Sequence, residues 1–293
     1  MQNTFKNPPP GKMVSVSGHN MHVYTQGQGE KTLVFMSGHA TACPTLDFKP
    51  LWSLLTDNYT IAVVEKFGYG WSDITKMPRD LDTILANTRE ALELAGLVPP
   101  YVLVPHSLSG LEAVYWAQKY PGEVTAIIGL DPSVPGSAEA LKVSFSTKMA
   151  IKLTSFVSRL GMNEAAAQSA LDKNVRSFGS DSLTESDRAA FVEVFRYRTF
   201  TKDMIREMNN KRGYIKAIRS LPLPSGVPVY FFSAHFREAA KVGITPEQFL
   251  QFHKDFLANF ETARHMILDC GHYVHAYEPE KISAEIKLFL GGK

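Results

Sequence analysis

The sequence predicts an α/β fold with a mostly parallel, doubly wound sheet. Short and nearly continuous apolar runs rich in Val, Leu and Ile recur along the chain, and such runs are typical of parallel strands buried on both faces. Segments with helical spacing separate them, which is the alternation that a doubly wound sheet requires. The strand candidates are residues 32–36, 60–64, 101–104 and 126–130, and the clearest intervening helices are residues 82–95 and 108–120.

The two ends of the chain extend this sheet. Residues 13–16 and 21–24 alternate apolar with polar side chains around a Gly-His-Asn turn, which indicates an antiparallel hairpin at one edge. Two later apolar runs, residues 227–232 and 265–268, indicate that the sheet resumes near the C-terminus. Residues 279–290 carry Ile and Phe on one helical face and predict a closing helix.

A long stretch between the two parts of the sheet, residues 137–222, offers helical segments but no convincing strand. We interpret it as a helical cap inserted into a core domain made of residues 1–136 and 223–293. Phe156 and Phe195 are among its apolar residues. Such residues usually pack in a core, but a cap must also line the cavity that it covers.

Composition excludes several classes of protein. The 31 Lys and Arg residues are dispersed among 29 Asp and Glu residues, so nothing points to nucleic acid. Cys43 and Cys270 are too few for a disulfide framework and are expected to be reduced. No run approaches the roughly 18 consecutive apolar residues of a membrane span, so a cytoplasmic chain is expected unless an anchor precedes Met1 in the natural protein.

A candidate nucleophile stands where an apolar strand runs directly into a helix. In residues 101–110, YVLVPHSLSG, Ser107 occupies the turn, and this stretch resembles the nucleophile elbow of α/β-hydrolases, usually G-x-S-x-G. The serine of an elbow adopts a strained backbone conformation that projects its hydroxyl from the sheet edge, and its neighbours stay small. Here Pro105 and Ser109 replace the two glycines, and Gly110 follows one place late.

An upstream loop resembles the oxyanion loop of the same family. Residues 33–40, LVFMSGHA, match a strand followed by the family's H-G-x motif, with Ser37 in the usual His place. The resemblance implies that the backbone N–H groups of His39 and Leu108 face the developing oxyanion. Preorganised donors of this kind contribute about 3 kcal/mol each.

A downstream loop resembles the one that supplies the family's general base. Residues 267–275, ILDCGHYVH, follow the last strand candidate and precede the closing helix, which makes His272 the candidate base and His275 the alternative. Two H-x-x-H pairs, His19 with His22 and His272 with His275, lack an accompanying carboxylate or Cys at ligand spacing. No metal is therefore expected.

A third loop, residues 65–73 with the sequence EKFGYGWSD, resembles the family's D-x-x-G-x-G-x-S segment. Gly68 and Gly70 are expected to serve turn geometry, and Glu65 or Ser72 to hold the loop by a hydrogen bond. Together with PPGK, PHSLSG and IIGLD, this segment resembles a group of bacterial α/β-hydrolases, some of which carry an N-terminal membrane helix before the PPG. The resemblance covers nearly the whole chain in the family's order.

The acid of the triad is harder to place. Most family members carry it after the strand that follows the cap, but there residues 227–238 offer only Glu238, several residues late. A minority arrangement, found in haloalkane dehalogenases and some lipases, places the acid just before the cap. Asp131 stands at that point, and the resemblance implies that it orients His272. Asp131 could instead start a turn before Pro132, in which case Glu238 or neither carboxylate would be the acid.

A serine at the elbow implies acyl transfer at a carbonyl, whereas haloalkane dehalogenases and epoxide hydrolases use Asp there to attack carbon. The resemblance therefore implies a serine hydrolase that acts on a small-molecule carboxylic ester or related acyl compound through an acyl-enzyme, without a cofactor. Two other possibilities stay open. They are an aminopeptidase or C–C bond hydrolase on the same fold, and a non-catalytic ligand receptor. The oligomeric state is not determined by the sequence.

Overall fold

Eight strands form one sheet in the computed structural model, which describes residues 5–235 and 243–291. Their order is β1-β2-β4-β3-β5-β6-β7-β8. The bounds are β1 Lys12–Val16, β2 His19–Gln26, β3 Thr32–Met36, β4 Thr60–Glu65, β5 Tyr101–Pro105, β6 Val124–Leu130, β7 Val229–Ala234 and β8 Ala263–Leu268. β2 is antiparallel to β1 and β4, and the other neighbours are parallel. The predicted fold class, a mostly parallel sheet of α/β-hydrolase type with an antiparallel edge, is confirmed.

Helices cover both faces of this sheet. Within the described residues they are α1 Pro44–Asp47, α2 Lys49–Trp52, α3 Leu81–Leu94, α4 Ser109–Lys119, α5 Pro135–Ala140, α6 Phe145–Leu160, α7 Glu164–Asn174, α8 Glu185–Arg198, α9 Lys202–Asn209, α10 Lys211–Arg219, α11 Pro246–Leu257, α12 Val274–Tyr277 and α13 Pro279–Phe289. The three helices predicted with explicit bounds correspond to α3, α4 and α13, within two residues at each end.

The central strands are apolar along their whole length because both of their faces are buried. In β3, Val34 and Met36 pack into the hydrophobic cluster that includes α3, α4 and α10. The alternate residues, Leu33 and Phe35, pack into the cluster on the other face, with α2 and α13. A strand with this environment shows no apolar–polar alternation, which explains the continuous runs in the sequence.

The edge hairpin turns one residue earlier than the sequence predicts. Ser17 and Gly18 form the two-residue turn, with φ angles of 49° and 78°, and Val16 pairs with His19. Positive φ at both turn residues is the geometry that suits the right-handed twist of a hairpin. His19 and Asn20, which we assigned to the turn, therefore belong to β2.

Helix α11 has no counterpart in the sequence prediction. It lies between β7 and β8 and begins with a capping box, in which the Thr245 hydroxyl accepts a hydrogen bond from the Gln248 N–H. Pro246 occupies the first turn, where its missing N–H is not needed. The T-P-E-Q sequence is a recognisable helix start, and Phe249 and Phe256 supply a buried face, so the signal was present.

The helices α5 to α10 connect β6 to β7, where the sequence indicated a cap. Tyr214 and Ile218 of α10 belong to the hydrophobic cluster on one face of the sheet, where α10 packs against α4 and α5. Helices α7 and α8 form a separate cluster with Trp71. Phe195 lies partly buried against this second cluster, and Phe156 is exposed on α6. The cap boundaries at residues 137 and 222 stay a prediction.

Buried charges attach α9 to the sheet. The Glu207 carboxylate accepts hydrogen bonds from the Tyr69 hydroxyl (2.6 Å) and from Arg79, and Lys66 Nζ lies 3.3 Å from Glu207 Oε2. Lys66 also contacts Glu112 of α4 at 2.6 Å. Burial by itself raises the pKa of Glu207, but Arg79 and Lys66 outweigh it and lower the pKa to about 2. The carboxylate is therefore charged at neutral pH, and its removal would leave Arg79 and Lys66 incompletely paired.

Substitution of Glu207 by Gln is expected to lower the free energy of unfolding by about 3 kcal/mol, since it leaves Arg79 and Lys66 incompletely paired in the interior. Urea denaturation at neutral pH measures this. Glu90→Gln, an exposed position on α3, is the matched control and should change stability by less than about 0.5 kcal/mol. The difference between the parent and Glu207→Gln should shrink as pH falls from 4.5 toward 2, because a carboxylate with a lowered pKa stabilises the fold only while ionised. Equal stability of the two proteins at neutral pH would contradict this account of α9.

Candidate active site

Ser107 lies in the tight turn between β5 and α4. Its φ of 55° is in the left-handed region, which costs a residue with a Cβ about 1–3 kcal/mol. Two hydrogen bonds to its carbonyl oxygen hold this conformation, one donated by the Ser133 N–H at 2.7 Å and one by the Gly110 N–H at 3.0 Å. The strained turn expected of an elbow serine is therefore present, and the loop after β6 stabilises it.

The departures from the usual elbow motif have a steric explanation. A Cβ on Gly110 would lie 2.5 Å from the Ser133 carbonyl oxygen and 2.7 Å from Pro132 Cβ, so this position cannot carry a side chain. Ser109 is fully buried, and its hydroxyl donates to the Met36 carbonyl oxygen at 2.6 Å. The close helix–loop contact thus falls at residue 110, and the hydroxyl at 109 ties the elbow to the end of β3.

The loop after β3 lies against the elbow. A Cβ on Gly38 would be 2.6 Å from Ser107 Cβ and 2.9 Å from the His106 carbonyl oxygen. His39 and Leu108 therefore come from two adjacent loops, and across residues 5–235 and 243–291 neither backbone N–H donates a hydrogen bond. Burial lowers the pKa of His39, and the neutral ring donates from Nε2 to the Met204 carbonyl oxygen at 3.1 Å. This bond fixes the loop against α9.

Asp131 and His272 are paired. Asp131 Oδ2 lies 2.6 Å from His272 Nδ1, and the other carboxylate oxygen accepts the Ala234 N–H at 2.9 Å. The Asp131 side chain is fully buried, whereas 28% of the His272 side chain is exposed. The carboxylate thus accepts a hydrogen bond from the Nδ1–H group, and Nε2 is the ring nitrogen that can exchange a proton with another group.

The chain around Asp131 is strained and tightly bonded. Its φ is 48°, and its N–H donates to the Phe232 carbonyl oxygen of β7 at 2.7 Å. At the next residue, the Pro132 carbonyl oxygen accepts a hydrogen bond from His253 Nε2 at 2.7 Å, and His253 Nδ1 lies 2.6 Å from the Ser233 hydroxyl. Burial lowers the pKa of His253, so this ring is neutral. Sequence reasoning missed His253 and Ser233, because no motif connects α11 to the loop after β6.

The residue before Ser107 supports His272. His106 is buried, and its Nε2 lies 3.2 Å from the His272 carbonyl oxygen, with the two ring centroids 4.6 Å apart. Burial lowers the pKa of His106 well below its usual value, and His272 and His275 lower it further. The neutral His106 ring thus donates to the His272 backbone and sets the distance between the histidine loop and the elbow. The PHSLSG motif contained this residue, but nothing in the sequence assigned it a role.

His275, the alternative candidate for the general base, has a different partner. His275 is fully buried, and its Nε2 lies 3.1 Å from Asp47 Oδ2, while Asp47 Oδ1 accepts a hydrogen bond from Ser177 at 2.5 Å. This ring therefore holds α12 against α1. Glu238, the other acid candidate, lies outside the described residues.

The EKFGYGWSD loop is held by Glu65. One carboxylate oxygen accepts the Thr45 hydroxyl at 2.8 Å, and the other accepts the Trp71 N–H at 2.8 Å and lies 2.9 Å from His22 Nδ1. A Cβ on Gly70 would lie 1.7 Å from Glu65 Oε2, so the turn requires glycine. These contacts agree with a structural role for the loop.

The two cysteines do not compete with Ser107 as nucleophiles. Both thiols are free and buried. Burial raises the pKa of Cys270 to about 12 and that of Cys43 well above its usual value. Both are therefore protonated at neutral pH, and a thiol reacts as a nucleophile through its thiolate.

Comparison with known proteins identifies relatives along nearly the whole chain, although no protein-family model matches it. Uncharacterized protein YbdG of Bacillus subtilis is 34% identical over 277 residues, which cover 93% of this chain and 83% of YbdG. The solved structure of CarC, a serine hydrolase involved in carbazole degradation, matches with a TM-score of 0.65 and 14% identity over 96% of this chain and 98% of CarC. A loop variant of the haloalkane dehalogenase DbeA from Bradyrhizobium elkanii matches with a TM-score of 0.65 and 16% identity over 96% of both chains. The sheet order and these structural matches show that the chain has the α/β-hydrolase fold, and its 34% identity to YbdG places it in the same family as that protein.

Proposed function

We propose that this protein is a serine hydrolase that cleaves a carboxylic ester, or a related acyl compound, through an acyl-enzyme on Ser107. The observation that carries the proposal is the 2.6 Å contact between Asp131 Oδ2 and His272 Nδ1. It supports a histidine that is oriented by a carboxylate and whose backbone carbonyl is held by His106, the residue before the strained Ser107. A buried carboxylate that is hydrogen-bonded to an imidazole is the arrangement that prepares the ring to accept a proton.

The proposed reaction has two halves. His272 Nε2 accepts the hydroxyl proton of Ser107 while Oγ forms a bond to the carbonyl carbon, which gives a tetrahedral oxyanion. This intermediate collapses as the C–O bond to the alcohol breaks and His272 returns the proton to the departing oxygen. Water then attacks the acyl-enzyme with the same base, and the acid product leaves Ser107.

The N–H groups of His39 and Leu108 are proposed to stabilise the oxyanion. Leu108 belongs to the elbow, and the close approach of Gly38 to Ser107 brings the loop that carries His39 next to the proposed nucleophile. The His39 ring holds its backbone in place through Met204. Donors fixed before the reaction need no reorganisation as charge develops, which is why they lower the barrier.

The substrate class follows from the nucleophile. DbeA belongs to the haloalkane dehalogenases, which place Asp at the elbow, whereas the serine here favours a carbonyl carbon as the electrophile. An aminopeptidase would need acidic side chains to hold a substrate ammonium, and the three candidates, Glu164, Asp172 and Glu185, are exposed on α7 and α8. No observation favours a ligand receptor, which has no chemical need for a paired Asp131 and His272.

Replacement of Ser107 by Ala is expected to lower the hydrolysis of p-nitrophenyl esters by at least about 10⁴-fold and to abolish covalent labelling by a fluorophosphonate. The matched control is Ser37→Ala, which removes a neighbouring buried hydroxyl that lacks a hydrogen-bond partner in the described part of the chain. It should keep both properties. Labelling that persists in Ser107→Ala would show that another residue is the nucleophile.

The two acid candidates are separated by paired substitutions. Asp131→Asn is expected to lower turnover by as much as about 10⁴-fold, since an amide would favour the wrong tautomer of His272. Glu238→Gln should be nearly silent in the same ester assay. The opposite pattern would transfer the role to Glu238, and two silent variants would leave a Ser-His pair without a carboxylate.

The oxyanion loop is tested by Gly38→Ala. The added methyl would overlap Ser107 and His106, so the loop must move and the His39 N–H with it. We expect kcat to fall about 100-fold, the effect of losing one oxyanion donor, with little change in KM. Gly179→Ala, where a Cβ meets no atom within 4 Å among the described residues, is the control and should retain full activity. Unchanged turnover in Gly38→Ala would remove this loop from the site.

A further inference from the structure

Helix α6 presents its large apolar side chains to solvent. They recur every three or four residues, so they form one stripe along the helix. The members of this stripe and their exposed fractions are Phe145 79%, Met149 48%, Leu153 66%, Phe156 58% and Leu160 74%. Single exposed apolar residues are common on protein surfaces, but a contiguous set marks an interaction site.

The side of α6 that faces the protein is the less apolar one. Its buried residues are Ile151, Ser155 and Ser158, and the helix packs there against α8. An amphipathic helix in a globular protein normally turns its apolar side inward. The orientation of α6 is the reverse, so core packing does not explain the stripe. Core packing, which we expected of apolar residues such as Phe156, does not hold for this residue, because Phe156 belongs to the outward side.

Basic residues follow one edge of the stripe. Lys148, Lys152 and Arg159 are separated by four and seven residues, so they share one side of the helix next to Phe145 and Phe156. The sequence of α6, FSTKMAIKLTSFVSRL, contains no Asp or Glu. The helix is therefore apolar on one side and cationic on the adjoining side.

A basic groove of about 1200 Å³ continues this surface. It lies between residues 139–148 and α10, and Val143 and Lys148 connect it to α6. Its cationic lining residues are Lys142, Lys148, Lys211, Arg212, Lys216 and Arg219. The acidic residue in the lining, Glu139, is paired with Arg219 at 2.7 Å. The net charge of the whole chain is only +2, so positive charge is concentrated here. Ser107 and His272 are not part of the lining.

We propose that α6 and the basic groove dock on the surface of an anionic lipid bilayer. The apolar stripe would enter the boundary between headgroups and acyl chains, and the lysines and arginines would contact anionic headgroups. A helix with a strong apolar side and a cationic side binds membranes in this way. The contact is peripheral, because none of the described helices has the length and apolarity to cross a bilayer.

Charge favours the bilayer over a second copy of the chain. Two copies that met through α6 would bring Lys148, Lys152 and Arg159 of one molecule close to those of the other, which like-charge repulsion opposes. An anionic surface matches both the stripe and its cationic edge. The proposal does not depend on the hydrolase activity, because it concerns a surface apart from Ser107.

The test is sedimentation of the full chain with vesicles of equal parts phosphatidylglycerol and phosphatidylcholine, and with vesicles of phosphatidylcholine alone. We expect the chain to bind the mixed vesicles. Its affinity for the neutral vesicles should be at least about tenfold weaker. Phe145→Ser/Leu153→Ser should weaken binding to the mixed vesicles by at least about tenfold. The control Leu94→Ser/Leu288→Ser changes two apolar residues of α3 and α13 that are 52% and 67% exposed, and it should bind as the parent does.

Two further double variants test the contribution of the lysines. Lys148→Gln/Lys216→Gln should weaken binding to the mixed vesicles by about tenfold, whereas Lys254→Gln/Lys281→Gln, on α11 and α13, should not. Circular dichroism and thermal melting establish that each variant is folded. The proposal fails if the parent does not bind the mixed vesicles, or if the stripe variant binds them as well as the parent does. It also fails if the parent leaves vesicles unbound and ultracentrifugation shows that the parent is a dimer, which Phe145→Ser/Leu153→Ser dissociates. A second copy of the chain would then cover α6.

Discussion

The hydrogen bond from the Ser133 N–H to the Ser107 carbonyl oxygen connects the two loops on which the candidate site depends. One loop carries the strained serine and the other carries Asp131, two residues before the donor. Gly110 allows this contact, because any side chain there would collide with Ser133 and Pro132. Ser107 and Asp131 both have a positive φ, so each of the two loops that this backbone bond joins holds a strained residue.

A second set of contacts links α9 to the loop after β3, on the other side of the elbow. Glu207 anchors α9 through buried cations, and the Met204 carbonyl of that helix holds the His39 ring. The loop after β3, which carries His39, therefore rests on a helix from the long connection between β6 and β7, and not on the sheet alone. Glu207 and Met204 belong to the same helix, and the Met204 carbonyl contacts the His39 ring. Glu207→Gln is therefore also expected to alter the geometry beside Ser107.

Much of the fold could be predicted from the sequence, because local patterns report it directly. Continuous apolar runs marked the buried strands, and the resemblance to haloalkane dehalogenases and some lipases implied the pairing of Asp131 with His272, whose Oδ2 and Nδ1 atoms lie 2.6 Å apart. What escaped prediction depends on contacts between distant segments. Periodicity shows that α6 has an apolar side but not that this side faces solvent, and the bond between His253 and the Pro132 carbonyl joins residues 121 positions apart. Helix α11 was missed although its capping box was visible in the sequence.

An acyl group on Ser107 is the central feature of the proposed chemistry, and mass spectrometry observes it directly. The protein is mixed with a p-nitrophenyl ester, quenched in acid within the first turnovers, digested and mapped. The expected result is a mass increase equal to the acyl group on the peptide that contains Ser107, together with a burst of p-nitrophenol equal to the amount of protein. A stoichiometric adduct on another peptide, or turnover without any adduct or burst under conditions where deacylation is slow, would contradict the assignment of Ser107 as the nucleophile.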